Sequence, residues 1–580
     1  MIRIENLTFS FPTKDLYQDI SFSLEQGQHC AFIGASGNGK STLIEMILDQ
    51  DKHHYAGQIH IEDKTRIGYM SQFMSSDQAP ETSVFDFIAE DFLNYEKKIA
   101  DICEQMATAE DIEPLLEAYQ EALDGFQAIG GDDYESIIHK KLNLASLMTH
   151  RDLKISQISG GEFKLVQIMK EMLKQPHIMI MDEPDVFLDF ENLEALKELI
   201  NNHKGILLVI THNRYLLNHC FNKIIHLENK QLQEYNGSYI DYNFALLESK
   251  IELQELAIAD QEEIERNEAL IHQLRLNATY SAEAAKGRAL RARVKYQERL
   301  EARRIQAPFV EIKQPYIEFA WHEDIETYPA ITTQDHTIAF DQVLFEHASF
   351  EIQSTDKVAL IGSNGTGKTS LLRQLVSGHD NIQVHPDTKL TYLSQVQGET
   401  LKDEDTVYDA FFEAGFESRS QIAAHLLNFG FDEEILYQPL SKFSGGERNL
   451  LQIAKVCGDR ANMLLLDEPT SHLDTYAQMA LERAIQDYPG GLIMVSHDYY
   501  TIANTVDYLL IIQDGELRKI SNRKFRKMIY KNHYNKDYLI LEQEKKTLET
   551  QIAMALKATK FKRAKEICDS LKDVIEKMKQ

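Results

Sequence analysis

Lys40 and Lys368 each sit near the end of a glycine-rich run of the form GxxxxGK[ST]. The first run is Gly34-Ala35-Ser36-Gly37-Asn38-Gly39-Lys40-Ser41, followed by Thr42. The second is Gly362-Ser363-Asn364-Gly365-Thr366-Gly367-Lys368-Thr369, followed by Ser370. In such a run the glycines let backbone N–H groups wrap phosphates, the lysine neutralises the β and γ phosphates, and the Ser or Thr hydroxyl ligates Mg²⁺. The implied cofactors are ATP and Mg²⁺. Asp182 and Asp467 end apolar runs, where a carboxylate can hold the metal or its water. Glu183 and Glu468 come next, placed to orient or polarise an attacking water. His212 and His497 follow further apolar runs and read as γ-phosphate sensors, while Gln72 and Gln395 read as residues that reach the metal.

These residues need a particular scaffold. Each phosphate loop lies between an apolar stretch (Cys30 to Ile33; Val358 to Ile361) and a helical pattern. The short apolar runs before Asp182, Asp467, His212 and His497 read as buried strands of a parallel sheet. The motif set occurs twice in one order, so the fold class is α/β with two phosphate-loop domains. Lys40 and Lys368 are 328 residues apart, and Gln72 and Gln395 are 323 apart. Ser159-Gly160-Gly161-Glu162 and Ser444-Gly445-Gly446-Glu447 are 285 apart, as are the Asp-Glu and His pairs. The first copy therefore carries an insertion between Gln72 and Ser159, filled by acidic, helix-rich text at about 84–143.

Composition sets outer bounds. A chain of 580 residues exceeds one hydrophobic core. No apolar run reaches membrane-spanning length, and the first residues lack a secretory pattern. Five scattered cysteines, none in a CxxC, read as reduced thiols of a cytoplasmic protein. A net charge of -30 argues for solubility and against non-specific coating of nucleic acid, although a local basic patch can act alone.

The Ser-Gly-Gly-Glu segments resemble the signature motif of ABC ATPases. That resemblance implies that the signature of one cassette caps the nucleotide held by the other. One composite site would combine Lys40, Asp182, Glu183 and His212 with Ser444, Gly445 and Gly446. The other would combine Lys368, Asp467, Glu468 and His497 with Ser159, Gly160 and Gly161. Phe11 and Phe340 stand where the family stacks adenine, though isolated phenylalanines also suit a core. Two cassettes without membrane segments, joined by a charged helical linker, resemble the ABC-F family over nearly the whole chain. Asp467-Glu468-Pro469-Thr470-Ser471-His472-Leu473-Asp474 and Tyr235-Asn236-Gly237-Ser238-Tyr239 carry that likeness. It implies an ATP hydrolase that binds the ribosome, with large-subunit rRNA near the tRNA exit site and tRNA as partners. No membrane partner and no stable homo-oligomer are implied. The first cassette departs from the family pattern at Asp185-Val186-Phe187, Phe163-Lys164-Leu165 and Asn213-Arg214. Two non-equivalent sites are expected.

The domain reading is 1–240 for the first cassette, 241–312 for a helical hairpin linker, 313–533 for the second cassette and 534–580 for a helical extension. No Gly or Pro occurs from Tyr239 to Lys286, and Leu246, Leu253, Leu256 and then Ile264, Ile271, Leu274 give an apolar seam. The turn is expected around Asn277 to Ser281. The stretch from Arg275 to Arg304, which includes the tip and the returning arm, holds nine basic residues against three acidic ones, which suits phosphate contacts on RNA. The tip, Leu276 to Tyr280, would point toward peptidyl-tRNA or the peptidyl-transferase region. The tail predicts a helical pair with a stripe of Leu541, Leu548, Ile552 and Leu556, and both RNA contact and packing on the second cassette are open for it. Ribosome protection against antibiotics is the leading reading. Housekeeping translation, a DNA-associated or structural ATPase, and a transporter's energising subunit are the alternatives.

Overall fold

The structure is a computed structural model. It describes residues 1–12, 14–62, 65–71, 81–109, 112–186, 188–280, 291–299, 315–321, 326–339, 343–513, 515–533 and 538–579. Gln72, Phe187 and Phe340 lie outside these residues, as do Lys286, Arg288, Arg303 and Arg304 of the linker. Two compact units divide the chain: Met1–Tyr235 with Gln314–Arg526, and Asn236–Lys313 with Lys527–Gln580.

The first unit contains both cassettes, so the α/β reading holds. Each cassette has a six-stranded sheet and a three-stranded antiparallel sheet. In the first, the strand order is Ile67–Met70, Ile178–Asp182, Ile206–Ile210, His29–Ile33, Lys223–Glu228, Gln231–Asn236. Every residue of Ile178–Asp182 and Ile206–Ile210 is buried, which is why these stretches are unbroken apolar runs instead of alternating ones. The parallel register pairs Phe32 with Ile210 and Asp182 with Ile210, so three carboxyl ends finish side by side. The phosphate loop, Asp182-Glu183 and Thr211-His212 all leave from that edge, where ligands of open α/β sheets bind. The second cassette repeats this, pairing Leu360 with Val495 and Asp467 with Val495. The insertion folds as helices Val84–Met106, Glu113–Ala128 and Tyr134–Leu144.

In the second unit a single helix, Tyr239–Tyr280, includes Asn277 to Tyr280 of the expected turn, and Ser281 lies outside the described residues. Asn277 to Tyr280 contain no residue that breaks a helix, so the pattern gave no true stop signal. The helix at 291–299 lies antiparallel to it: Asn267 Nδ2 donates to the Arg293 carbonyl at 3.1 Å, and the Tyr296 hydroxyl donates to Glu263 Oε1 at 2.5 Å. Ile264 and Ile271 are buried, as the seam predicts. Nearer the helix start the seam is different. Leu256 is exposed, and the packed face is Ile240, Phe244, Leu247 and Ile251. Its partner is the C-terminal pair, Tyr538–Lys557 and Phe561–Lys579, which contributes Ile552, Ala555, Ala564, Cys568, Leu571 and Ile575. Lys565 Nζ of that pair sits 2.5 Å from Glu255 Oε2. The extension thus packs on the root of the linker, a partner that neither expectation named. Ile251→Ala is expected to cost about 3 kcal/mol, the usual scale for a buried Ile-to-Ala change. It should strip hydrogen-exchange protection from Phe561–Lys579, whereas Leu256→Ala leaves that protection intact. Among the described residues no helix is long and apolar enough to cross a membrane.

Candidate active site

The phosphate loops depend on glycine backbone. Gly39 (φ 91°) and Gly367 (φ 93°) adopt left-handed conformations at the starts of helices Lys40–Leu48 and Lys368–Ser377. A Cβ on Gly34 would lie 2.2 Å from the Leu227 carbonyl oxygen, so only glycine lets that loop lie against its neighbouring strand. Lys40 Nζ donates to the Gly34 and Ala35 carbonyls at 2.8 and 3.0 Å, and Lys368 Nζ to those of Gly362 and Ser363 at 2.8 and 2.9 Å. Burial holds both ammonium groups below the usual lysine pKa, while Glu183 and Glu468 respectively pull them back up. Asn38 Nδ2 donates to the Leu227 carbonyl and Thr366 Oγ1 to that of Ser363, which tightens the loops. Thr42 bonds Tyr17, whose hydroxyl also donates to the Gly39 carbonyl.

At the strand ends, Ser41 hydrogen-bonds Asp182, and Thr369 hydrogen-bonds Asp467. Burial raises the Asp182 carboxyl to about 6 and also raises Asp467. Glu183 and Glu468 share one unusual backbone, with φ of 49° and 50°. Their N–H groups donate to Ile210 and Val495 carbonyls, both at 2.9 Å. A non-glycine residue there costs about 1 kcal/mol or more and persists only where its surroundings over-determine it. The carboxylates differ. Burial raises the Glu183 pKa, but a hydrogen bond from His472 and the nearby Lys40 charge outweigh it, leaving Glu183 below the usual value. Burial and Asp467 push Glu468 up to about 8.

His212 is buried and the His497 side chain is 12% exposed, and burial beside Lys40 or Lys368 lowers each to about 4. Both are therefore neutral at neutral pH. In an unfolded chain each would titrate near 6.5, so unfolding takes up protons between about 6.5 and 4. Stability is then expected to be full above about pH 6.5 and to fall as pH drops toward 4, by about 3 kcal/mol per histidine. Urea unfolding at pH 7.5 and pH 5 checks this, and His497→Gln should shallow the fall.

The two cassettes meet across these loops. Ser36 N–H donates to Asp474 Oδ2 and Asn364 N–H to Asp189 Oδ2, each at 3.2 Å. Both aspartates cap the following helix with the other oxygen, to Ala477 and Asn192. A Cβ on Gly446 would sit 2.5 Å from Ser36 Oγ, and one on Gly161 would sit 3.4 Å from Asn364 Nδ2. The signatures therefore face the partner loops, as the resemblance implied. Ser159 and Ser444 each start a helix, with a capping box to Glu162 or Glu447. A cavity of about 760 Å³ opens between the second loop and the first signature. Lys368, Thr369, Ser370, Gln395, Gly160 and Gly161 line it, and so do Asp467, Glu468 and His497. Both ring nitrogens of His212, Nδ1 of His497, Asp467 Oδ1 and Glu468 Oε1 are buried without a hydrogen-bond partner. Unsatisfied donors and acceptors beside a glycine cradle fit a polyphosphate with its metal. Phe11 is 41% exposed and edges onto Phe9 and His53. Its hairpin partner Lys14 donates to the Gly37 carbonyl at 3.0 Å, so an exposed aromatic ring borders the loop.

The structure adds residues that the motifs did not single out. Lys164 Nζ donates to the Glu183 and Val186 carbonyls, at 2.9 and 3.1 Å. In the second cassette Asn449 does the same for Pro469 and Ser471. Asp185 accepts from Thr211 at 2.6 Å, where the second cassette pairs the Thr470 and Ser496 hydroxyls. Two of the first cassette's departures are thus one compensated change, a buried cation and anion in place of two neutral groups. Phe163 packs on Phe87 of the inserted helices. Arg214 crosses to the second cassette, bonding Glu482, Asp498 Oδ2 at 3.0 Å and Thr501 Oγ1 at 3.3 Å. Leu188-Asp189 and Leu473-Asp474, again 285 apart, were the sequence signal for the bridging aspartates.

Two phosphate-loop cassettes facing each other through their signatures define an ATP-binding-cassette ATPase. The family model described as "ABC transporter" matches residues 17–186 and 345–471, and the chain belongs to that family. Its relatives bear out the ABC-F likeness read from the motifs. ABC transporter F family member 2 of Arabidopsis thaliana is 28% identical over 97% of this chain and 82% of its own length. The ribosome protection protein VmlR of Bacillus subtilis is 26% identical over 90% of this chain and 88% of its own. Among solved structures, the archaeal ribosome recycling factor in complex with ribosomal stalk protein aP1 aligns with a TM-score of 0.56. That alignment is 15% identical and covers 91% of this chain and 92% of the other, a likeness of fold.

Proposed function

We propose that the chain is a cytoplasmic, ribosome-bound ATPase whose cassettes close on two Mg-ATP and present the helical linker beside tRNA, near the peptidyl-transferase region. The reading extends to protection of the ribosome from antibiotics that act there. The observation that carries the ATPase part is the pairing of each phosphate loop with the other cassette's signature and bridging aspartate. In this reading Lys40 and Lys368 meet the β and γ phosphates, and Ser41, Asp182 and Gln72, or Thr369, Asp467 and Gln395, hold Mg²⁺. Glu183 and Glu468 orient the attacking water, and the neutral His212 and His497 offer an N–H to the γ-phosphate. Phe11 and Phe340 take the adenines. Bound Mg²⁺ would supply charge neutralisation across the phosphates.

The ribosomal part is supported by the relatives' names, one of them a ribosome protection protein, and by a basic return arm in a chain of net charge -30. Ribosome co-sedimentation with and without ATP tests it, using the Glu183→Gln, Glu468→Gln variant. ATP-dependent retention is expected. Binding of ATP with no retention would overturn the ribosomal reading. Unchanged drug susceptibility of a sensitive bacterium expressing the chain, across lincosamides, pleuromutilins, streptogramins, phenicols and oxazolidinones, would overturn the protection reading.

A further inference from the structure

We propose that His472, contributed by the second cassette, is a positioning residue for the Glu183 carboxylate of the first, and that this hold gives the Glu183 site the faster turnover. The proposal rests on the reading of Glu183 as the residue that orients the attacking water.

The contact is direct. His472 Nδ1 lies 3.2 Å from Glu183 Oε2, with both side chains largely buried at 10% and 16% exposure. His472 has φ 61°, a left-handed conformation that a histidine adopts at a cost. Neighbouring bonds fix it there. Leu473 N–H donates to the Thr470 carbonyl and Ser471 N–H to that of Glu468, both at 3.2 Å. Asn449 Nδ2 holds the Ser471 carbonyl. The second signature lies against the same residue: a Cβ on Gly446 would meet the His472 carbonyl at 2.6 Å, and one on Gly445 would stand 3.6 Å from its ring. The signature that caps the first phosphate loop and the imidazole that holds Glu183 are therefore one packed element. Closing the cassettes delivers both to the same site.

The other site lacks this arrangement in its sequence. The residue 285 positions before His472 is Phe187, whose side chain has no hydrogen-bonding group. Glu468 is met instead by its own cassette, with His497 N–H at 3.4 Å from Oε2 and His497 Nε2 at 3.5 Å from Oε1. Both glutamates leave their strands with the same φ and the same backbone bond, so the holder is what separates them. A carboxylate held in one orientation loses less freedom when it aligns a water. Sub-ångström misplacement of such a group is enough to slow a reaction severalfold or more.

The test is ATP hydrolysis, in steady state and in single turnover with the full chain in excess of ATP. The variants are His472→Phe, His472→Gln, Glu183→Ala and His472→Phe with Glu183→Ala. His472→Phe is expected to lower kcat by roughly tenfold, the scale of one hydrogen bond to a charged group, with KM unchanged. His472→Gln keeps an N–H donor and should retain most of the rate. In the Glu183→Ala background His472→Phe should cost nothing further, because it acts through Glu183. Equal losses in the Phe and Gln variants, a loss that persists beside Glu183→Ala, or no loss with Phe would each overturn the proposal. Glu183→Ala hydrolysing at the parent rate would instead overturn the reading of Glu183 itself, so the two failures are told apart.

Discussion

Replacing Glu183 and Glu468 together by glutamine is expected to lower ATP hydrolysis by about 10²–10⁴-fold while ATP still binds. Glutamine keeps the volume and most hydrogen-bonding positions of glutamate, and the φ near 50° that both positions require is no harder for it. The phosphate loops, the signatures and the bridging Asp189 and Asp474 are untouched, so the groups that cradle the nucleotide remain. What disappears is a carboxylate able to take up charge as the water attacks. Phosphate release from purified protein checks the rate, and retention of labelled ATP checks binding. More than a tenth of the parent rate surviving in the double variant would contradict the assignment.

Arg214→Met is expected to destabilise the paired cassettes by about 3–5 kcal/mol, the cost of removing one partner from a buried ion cluster. The guanidinium is 11% exposed, and Glu482 and Asp498 are 9% and 14% exposed, so water compensates little of the loss. Two carboxylates would be left facing each other, with Thr501, Asn504 and the capped N–H groups of Tyr500 and Thr501 as their remaining partners. Denaturant unfolding reads the change. Adding Glu482→Gln and Asp498→Asn should recover most of it, because the uncompensated charge is what costs. Asn213, which caps its helix through Tyr215 and Leu216 N–H, shows that asparagine serves at that cap. A loss under about 1 kcal/mol in Arg214→Met would mean that the cluster is far better solvated than its burial implies.

Much of this site was legible because its chemistry is local. A phosphate loop is eight consecutive residues, and Asp182-Glu183 and Thr211-His212 each sit at the end of an apolar run. Beyond the insertion a constant 285-residue offset carried the signature, Asp-Glu and His assignments from one cassette to the other, and the phosphate loops repeat at 328. What was not legible depends on contacts distant in sequence. Ser36 and Asp474 are joined only by the meeting of the two cassettes, and nothing around Asp474 names its partner. The departures at Lys164 and Asp185 look like two defects until the fold shows them around one loop, standing in for Asn449 and Thr470. The linker seam was misplaced at Leu256 for a similar reason. Which face of a helix is covered depends on what covers it, and the C-terminal pair lies some 300 residues further along the chain. Of the turn expected around Asn277 to Ser281, Asn277 to Tyr280 are helical, because a helix accommodates a polar residue such as Asn277. Gln72 and Phe340 are read from sequence alone.

The central claim is that two composite sites each hold one ATP when the cassettes face each other as they do here. Counting ATP retained per chain by equilibrium dialysis of the Glu183→Gln, Glu468→Gln variant tests it most directly. Two ATP per chain are predicted, falling to one when Lys40→Ala or Lys368→Ala is added. A single ATP per chain, unchanged by one of those lysine substitutions, would contradict it.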